Sequence, residues 1–162
     1  MKESTEALSL LQDLLRVVPD RLAAMTNDAV QHKATPANWS PKEELGHLLD
    51  SAVNNHQRLV RAQMEDKLEM PGYAQNQWVV IHRYQQRDWT ELIDLWRAIN
   101  QQLLTAAESV PNSAWSHTLR VGSSEPMTLE FVFDDYVAHM VHHLKHIGIK
   151  LDDIPVRVWK AA

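Results

Sequence analysis

The sequence predicts an all-α protein: a four-helix bundle with long crossover connections and a short hairpin or extended segment before the last helix. Three observations carry this. Only four of the 162 residues are glycine, so few positions need unusual backbone freedom. Four long stretches repeat apolar residues at threes and fours, the period of a helix with one buried face. Between them lie helix start and stop signals rather than the regular turn signals of a β-rich chain.

Residues 3–26 form the first stretch, with Leu8, Leu11, Leu15, Val18 and Leu22 in one stripe. Pro19 falls inside it and is expected to kink or divide the helix. Residues 27–39 read as a loop. Ser40-Pro41-Lys42-Glu43 then opens the second helix, 41–68: serine caps, proline suits the first helical position and Glu43 completes a capping box. Its apolar positions are Leu45, Leu48, Leu49, Ala52, Val53, Leu59 and Val60. A polar line of Glu43 or Glu44, His47, Asp50 or Ser51, Asn54 and Arg58 runs beside them.

Pro71-Gly72 breaks the chain. Residues 74–109 read as one long third helix, with Trp78, Ile81, Tyr84, Trp89, Leu92, Leu95, Trp96, Ile99, Leu103 and Leu104. Val110-Pro111-Asn112-Ser113 ends it. Residues 114–126 alternate like a short strand and then turn at Gly122-Ser123-Ser124-Glu125-Pro126. The fourth helix covers 128–149, with Thr128 as cap and Gly148 at its end. A short tail to Ala162 carries Trp159, expected to pack back on the bundle. Residues 1–162 read as a single domain without internal repeats.

Composition excludes several classes of function. The chain has no cysteine, so a disulfide framework, a thiolate metal site and a cysteine nucleophile are all absent. Net charge is −5 without a basic run, which argues against a nucleic-acid partner. No apolar stretch approaches the ~20 residues of a membrane span, and the N-terminus lacks a signal-peptide pattern. A cytoplasmic protein acting on a small-molecule substrate is expected.

Four of the nine histidines fall in the last helix: His139, His142, His143 and His146. His139 and His143 lie one turn apart on one face, His146 is close to that face and His142 is at its edge. Neutral buried imidazoles need partners, and charged ones repel each other; a divalent metal satisfies both by taking lone pairs from neutral rings. One helix supplies two ligands, and a useful site needs a third. His47, flanked by leucines on the second helix, can supply it across the bundle. Taken alone, a His-x-x-x-His pair is common by chance, and His47 alone reads better as a core histidine bonded to a neighbour.

Two segments together resemble the DinB/YfiT-like family of helical-bundle metalloproteins. They are Trp39-Ser40-Pro41-Lys42-Glu43-Glu44-Leu45-Gly46-His47-Leu48-Leu49-Asp50 and Tyr136-Val137-Ala138-His139-Met140-Val141-His142-His143-Leu144-Lys145-His146-Ile147. The resemblance spans nearly the whole chain. It implies His47, His139 and His143 as the three metal ligands, a divalent ion such as zinc or nickel, a homodimer and, in some relatives, a low-molecular-weight thiol cosubstrate.

Glu44, Asp50 and Asp135 are candidates for orienting ligands or moving protons, because a ligating histidine usually donates its other N–H to a carboxylate. His146 and Asn54 are expected to line the pocket. His146 is not expected to be a ligand, since its extra turn should carry it too deep. Three functions follow: a metal-dependent enzyme of the thiol S-transferase or hydrolase type, a non-catalytic metal-binding or stress-linked module, and a histidine-rich core without metal. A chain of this length buries roughly 70% of its unfolded surface, so folding does not require the ion. Chelation at neutral pH should therefore leave a helical circular dichroism spectrum and a cooperative melt at lower temperature. Complete loss of helix would identify a structural metal.

Overall fold

Residues 2–154 are described by a computed structural model, with side chains from residue 6 onward. Four long helices dominate: α1 (Lys2–Ala23), α3 (Pro41–Met64), α5 (Trp89–Glu108) and α6 (Leu129–Ile147). Two short helices, α2 (Asn27–Gln31) and α4 (Gln75–His82), lie in the connections. The principal packing is α3 on α5 and α6, and α1 on α5 and α6. Around the bundle the order is thus α1, α5, α3, α6. The links from α1 to α3 and from α5 to α6 each cross to the diagonal position, as the predicted long crossovers require.

Helix starts follow local chemistry. The Ser40 hydroxyl accepts from the Glu43 amide at 3.3 Å, and the Ser40 amide donates to the Glu43 carboxylate at 2.9 Å. Lys33 pairs with that carboxylate at 2.6 Å, and the buried Lys42 ammonium donates to the Arg87 carbonyl at 2.7 Å. The first turn of α3 is therefore held from two sides, and His47 lies in the next turn. Thr128 caps α6 by accepting from the Phe131 amide, and Gly148 closes it at φ 95°.

The structure corrects several expectations. Pro19 leaves α1 undivided. The 27–39 segment contains α2, capped by Thr26. The helix from Pro41 stops at Met64 rather than 68, because Leu68–Met70 forms strand β1. The predicted extended segment is Thr118–Val121 (β2), paired with Met127–Thr128 (β3) as a hairpin. It is also paired in parallel with β1, giving a three-stranded sheet in the order β1-β2-β3. Val53, Ile81 and Leu95 are exposed rather than core. The expectation for Trp159 lies outside the described residues.

Residues 74–109 are not one helix. Arg83 adopts φ 52° at the end of α4, a 3-10 turn covers Tyr84–Gln86, and Asp88 caps α5 by accepting from the Glu91 amide at 3.0 Å. The break turns Tyr84 inward. Its ring packs against Gly46 of α3, and its hydroxyl donates to Asp50 Oδ1 at 2.7 Å. A Cβ at position 46 would lie 2.1 Å from the Tyr84 ring. Gly46→Ala gains about 1 kcal/mol of helix propensity but overpacks this contact, at a cost of about 1–3 kcal/mol or more. Urea unfolding should show the variant less stable than wild type. An equal or raised midpoint would mean that Tyr84 does not depend on this glycine.

Candidate metal centre

The close packing of α3 on α6 places His47, His139 and His143 together. One ligand nitrogen from each lies within 4.8 Å of the others. The Nε2 atoms of His47 and His139 are 3.1 Å apart. Two nitrogens bound ~2.0–2.1 Å from one tetrahedral ion lie about 3.3 Å apart, so this spacing suits two ligands of one ion. His143 is 4.5 Å from His47 and 4.4 Å from His139 between ring centroids. Its Nδ1 lies 2.6 Å from Glu44 Oε2. A carboxylate there holds the proton on Nδ1 and leaves the Nε2 lone pair free.

The donor set fits a divalent ion. His47 is wholly buried. Burial, helped by the neighbouring His143, lowers its pKa to about 4. Burial, with His143 and His47 nearby, lowers that of His139 to about 3. Both rings are thus neutral at neutral pH, the form that can ligate. The Nδ1 atoms of His47 and His139 are buried without a hydrogen-bond partner. Among the described residues no acceptor holds a proton on either Nδ1, in contrast to His143. Trp39 covers the cluster, its ring 4.9 Å from His47 and 6.5 Å from His143.

The other candidates separate. Asp50 faces away from the trio: Oδ1 accepts from Tyr84 and lies 3.0 Å from His82 Nδ1, and burial raises its pKa. Its Oδ2 is buried without a partner. His146 is not deep. Its side chain is about half exposed at 52%, with Nδ1 3.8 Å from Glu44 Oε1, because in the last turn of α6 Leu144 and Ile147 face the core and Lys145 and His146 face outward. Glu44, His143 and His146 form a second group with ligand spacing, sharing His143 with the first. His142 is exposed against His146.

Beside the trio lies a cavity of about 340 Å³, bounded by Ser51, Asn55 and Arg58 of α3, Tyr73, and Asp135 and His139 of α6 among others. Asp135 is therefore a cavity residue, on an exposed stretch of wall. Neither Asn54 nor His146 lines it. The Asn54 amide turns back to the Asp50 carbonyl at 2.8 Å, and Asn55 takes the place expected for it. Sequence reasoning missed Trp39, Asn55 and Tyr73 as site residues and named Ser51 only as an alternative to Asp50 on the polar line. A spacing of four, four and three from His47 through Ser51 and Asn55 to Arg58 was the available signal.

A family-wide comparison matches residues 10–147 to the DinB superfamily. A protein of Oceanobacillus iheyensis named a "putative metal-dependent hydrolase" is 21% identical over 142 residues, covering 88% of this chain and 82% of that protein. YfiT from Bacillus subtilis, described as a probable metal-dependent hydrolase with an unusual four-helix bundle topology, superposes with a TM-score of 0.73 at 16% identity. That match covers 91% of this chain and 89% of the other. A mycothiol-dependent maleylpyruvate isomerase superposes at 0.71, and a histidine-to-alanine variant of it at 0.76, each at 16% identity. Each covers 94% of this chain, which spans only 64% of the isomerase's length.

The depressed pKa values of His47 and His139 predict a pH dependence. Unfolding returns each ring to its ordinary value near ~6.5. Below that, and down to the folded values of about 4 and about 3, the unfolded chain binds more protons than the folded one. Stability of the metal-free protein therefore falls as pH drops through this window and gains nothing from these rings above it. Urea titrations from about pH 7.5 to about pH 4.5 should show this slope, and His47→Gln with His139→Gln should flatten it. An unchanged slope in the double variant would assign the effect to other groups.

Proposed function

The chain belongs to the DinB superfamily, and from that premise we propose that it is a metal-dependent enzyme of hydrolase or thiol-transfer type. His47, His139 and His143 hold a divalent ion, zinc or nickel, beside a cavity for a small-molecule substrate. The observation that carries this reading is the 3.1 Å approach of two neutral Nε2 atoms from different helices, one on a buried ring and one on a partly buried ring. A purely structural histidine pair would gain one hydrogen bond and still leave both Nδ1 atoms buried without partners. A binding module without catalysis is less well supported, because the cavity reaches His139 itself and so brings a ligand to the cluster.

When bound, the ion supplies a Lewis acid that polarises an electrophile and acidifies the attacking water or thiol. The protein's own groups supply the rest. Glu44 keeps the His143 proton on Nδ1 and so presents Nε2 to the centre. Trp39 excludes bulk water from the His47 side. Asp135 is the carboxylate on the cavity wall; its residue is exposed, and partial desolvation of the carboxylate raises its pKa. It is placed to take or return a proton from a substrate in the cavity. Because the chain has no cysteine, a thiol nucleophile must come from a second, low-molecular-weight substrate.

Metal content and turnover of the histidine variants test the proposal together. His47→Ala, His139→Ala and His143→Ala should each lose more affinity than the ~10–100-fold typical of removing an outer-shell partner, and Glu44→Gln should fall within that range. His32→Ala and His56→Ala should retain wild-type metal content. Electrophile panels assayed with and without a low-molecular-weight thiol should show turnover that vanishes with the metal. Full metal occupancy in His47→Ala would refute the cross-helix centre.

A further inference from the structure

His47, Ser51, Asn55 and Arg58 are spaced by four, four and three residues, so they form one strip along α3. Its first member belongs to the histidine cluster, and the other three line the cavity that His139 also lines. The cavity therefore has a histidine end and an arginine end. Eleven residues of helix separate His47 from Arg58, a rise of roughly 16 Å. Helical side chains lean toward the N-terminus, so Arg58 reaches back along the strip and shortens that span.

Arg58 is only partly buried, and its guanidinium is incompletely used. Its hydrogen bond is from Nη1 to Asn55 Oδ1 at 3.2 Å. Among the described residues, no carboxylate lies within the 4.0 Å of an ion pair with it. Asp135 and Tyr73 stand nearby and act on its charge without pairing to it. Burial disfavours that charge, and among the described residues Asp135 and Tyr73 offset this cost only in part and without an ion pair. Arginine offers a planar fork of donors matched to a carboxylate.

We propose that Arg58 is a specificity-determining anion site. The substrate is a small carboxylate-bearing molecule whose carboxylate seats on the Arg58 guanidinium while its reacting end faces the histidine cluster. The placement of the reacting end rests on the metal-dependent reading above. The carboxylate site does not. Tyr73 lines the same cavity, and its phenol interacts with Ser51 and Arg58 of the strip, so it offers a further donor for the anion. A phosphate is disfavoured because Arg58 is the one cationic residue among the described residues that line the cavity, and Asp135 shares its wall. A second negative charge would meet that aspartate without a second cation to balance it.

The test uses metal-stripped and zinc-loaded full-length protein, titrated calorimetrically with butanoate, its amide butanamide, and methyl phosphate. Butanoate should bind both forms with a Kd near or below about 1 mM, and the other two should bind more weakly. Arg58→Gln should weaken butanoate by at least about tenfold, or 1.4 kcal/mol, and Arg58→Lys by less. Zinc stoichiometry and the thermal melt of both variants should match wild type. Butanoate binding to stripped protein keeps the carboxylate site standing even if zinc never binds the histidines. The proposal is overturned if butanoate does not bind, if the amide or methyl phosphate binds as tightly, or if both Arg58 variants bind butanoate like wild type.

Discussion

The packing of α3 on α6 brings two imidazole rings from sequence-distant helices to 3.1 Å between their Nε2 atoms. Two rings this close and this buried cannot both carry a proton's charge, and burial lowers both pKa values accordingly. The α3–α6 interface is thus compatible with neutral histidines and a shared cation, but not with charged histidines. The surrounding architecture holds these two helices in register. The capped start of α3 is tied to Lys33 and to the Arg87 carbonyl, Gly46 lets the Tyr84 ring close on the next turn, and Glu44 reaches across to His143.

Much of this was legible in the sequence. The four helices follow from apolar periodicity, and the Ser40 and Thr128 caps follow from residue types that compete for unpaired amides. Spacing placed His139 and His143 on one face, His47 on the second helix was the candidate third ligand across the bundle, and resemblance to the DinB/YfiT-like family implied the same trio; the structure brings the three together. What failed depended on tertiary partners. The break at Arg83 exists because Tyr84 turns toward Asp50, although the Asp88-Trp89-Thr90-Glu91 cap signal was readable. Strand β1 was invisible because three residues gain strand character only by pairing with β2. His146 was placed too deep because angular position on a helix says nothing about where the bundle surface lies.

The centre also departs from common practice for metal-ligating histidines. Such rings usually donate the second N–H to an acceptor, which fixes the tautomer. Only His143 does so here, through Glu44. The Nδ1 atoms of His47 and His139 are buried without a partner. That leaves Glu44 as the principal orienting group, and it also belongs to the outer group of Glu44, His143 and His146. The two groups compete for His143: with its proton on Nδ1 the ring serves the inner one, and without it the outer one.

The location of a bound ion separates these arrangements and tests the central claim. Crystals of the metal-loaded protein, measured at the absorption edge of zinc or nickel, give that position from anomalous scattering. The account predicts one peak ~2.0–2.1 Å from Nε2 of His47, His139 and His143, with Glu44 bonded to the ring rather than to the ion. A peak on Glu44, His143 and His146, with none between His47 and His139, would contradict it.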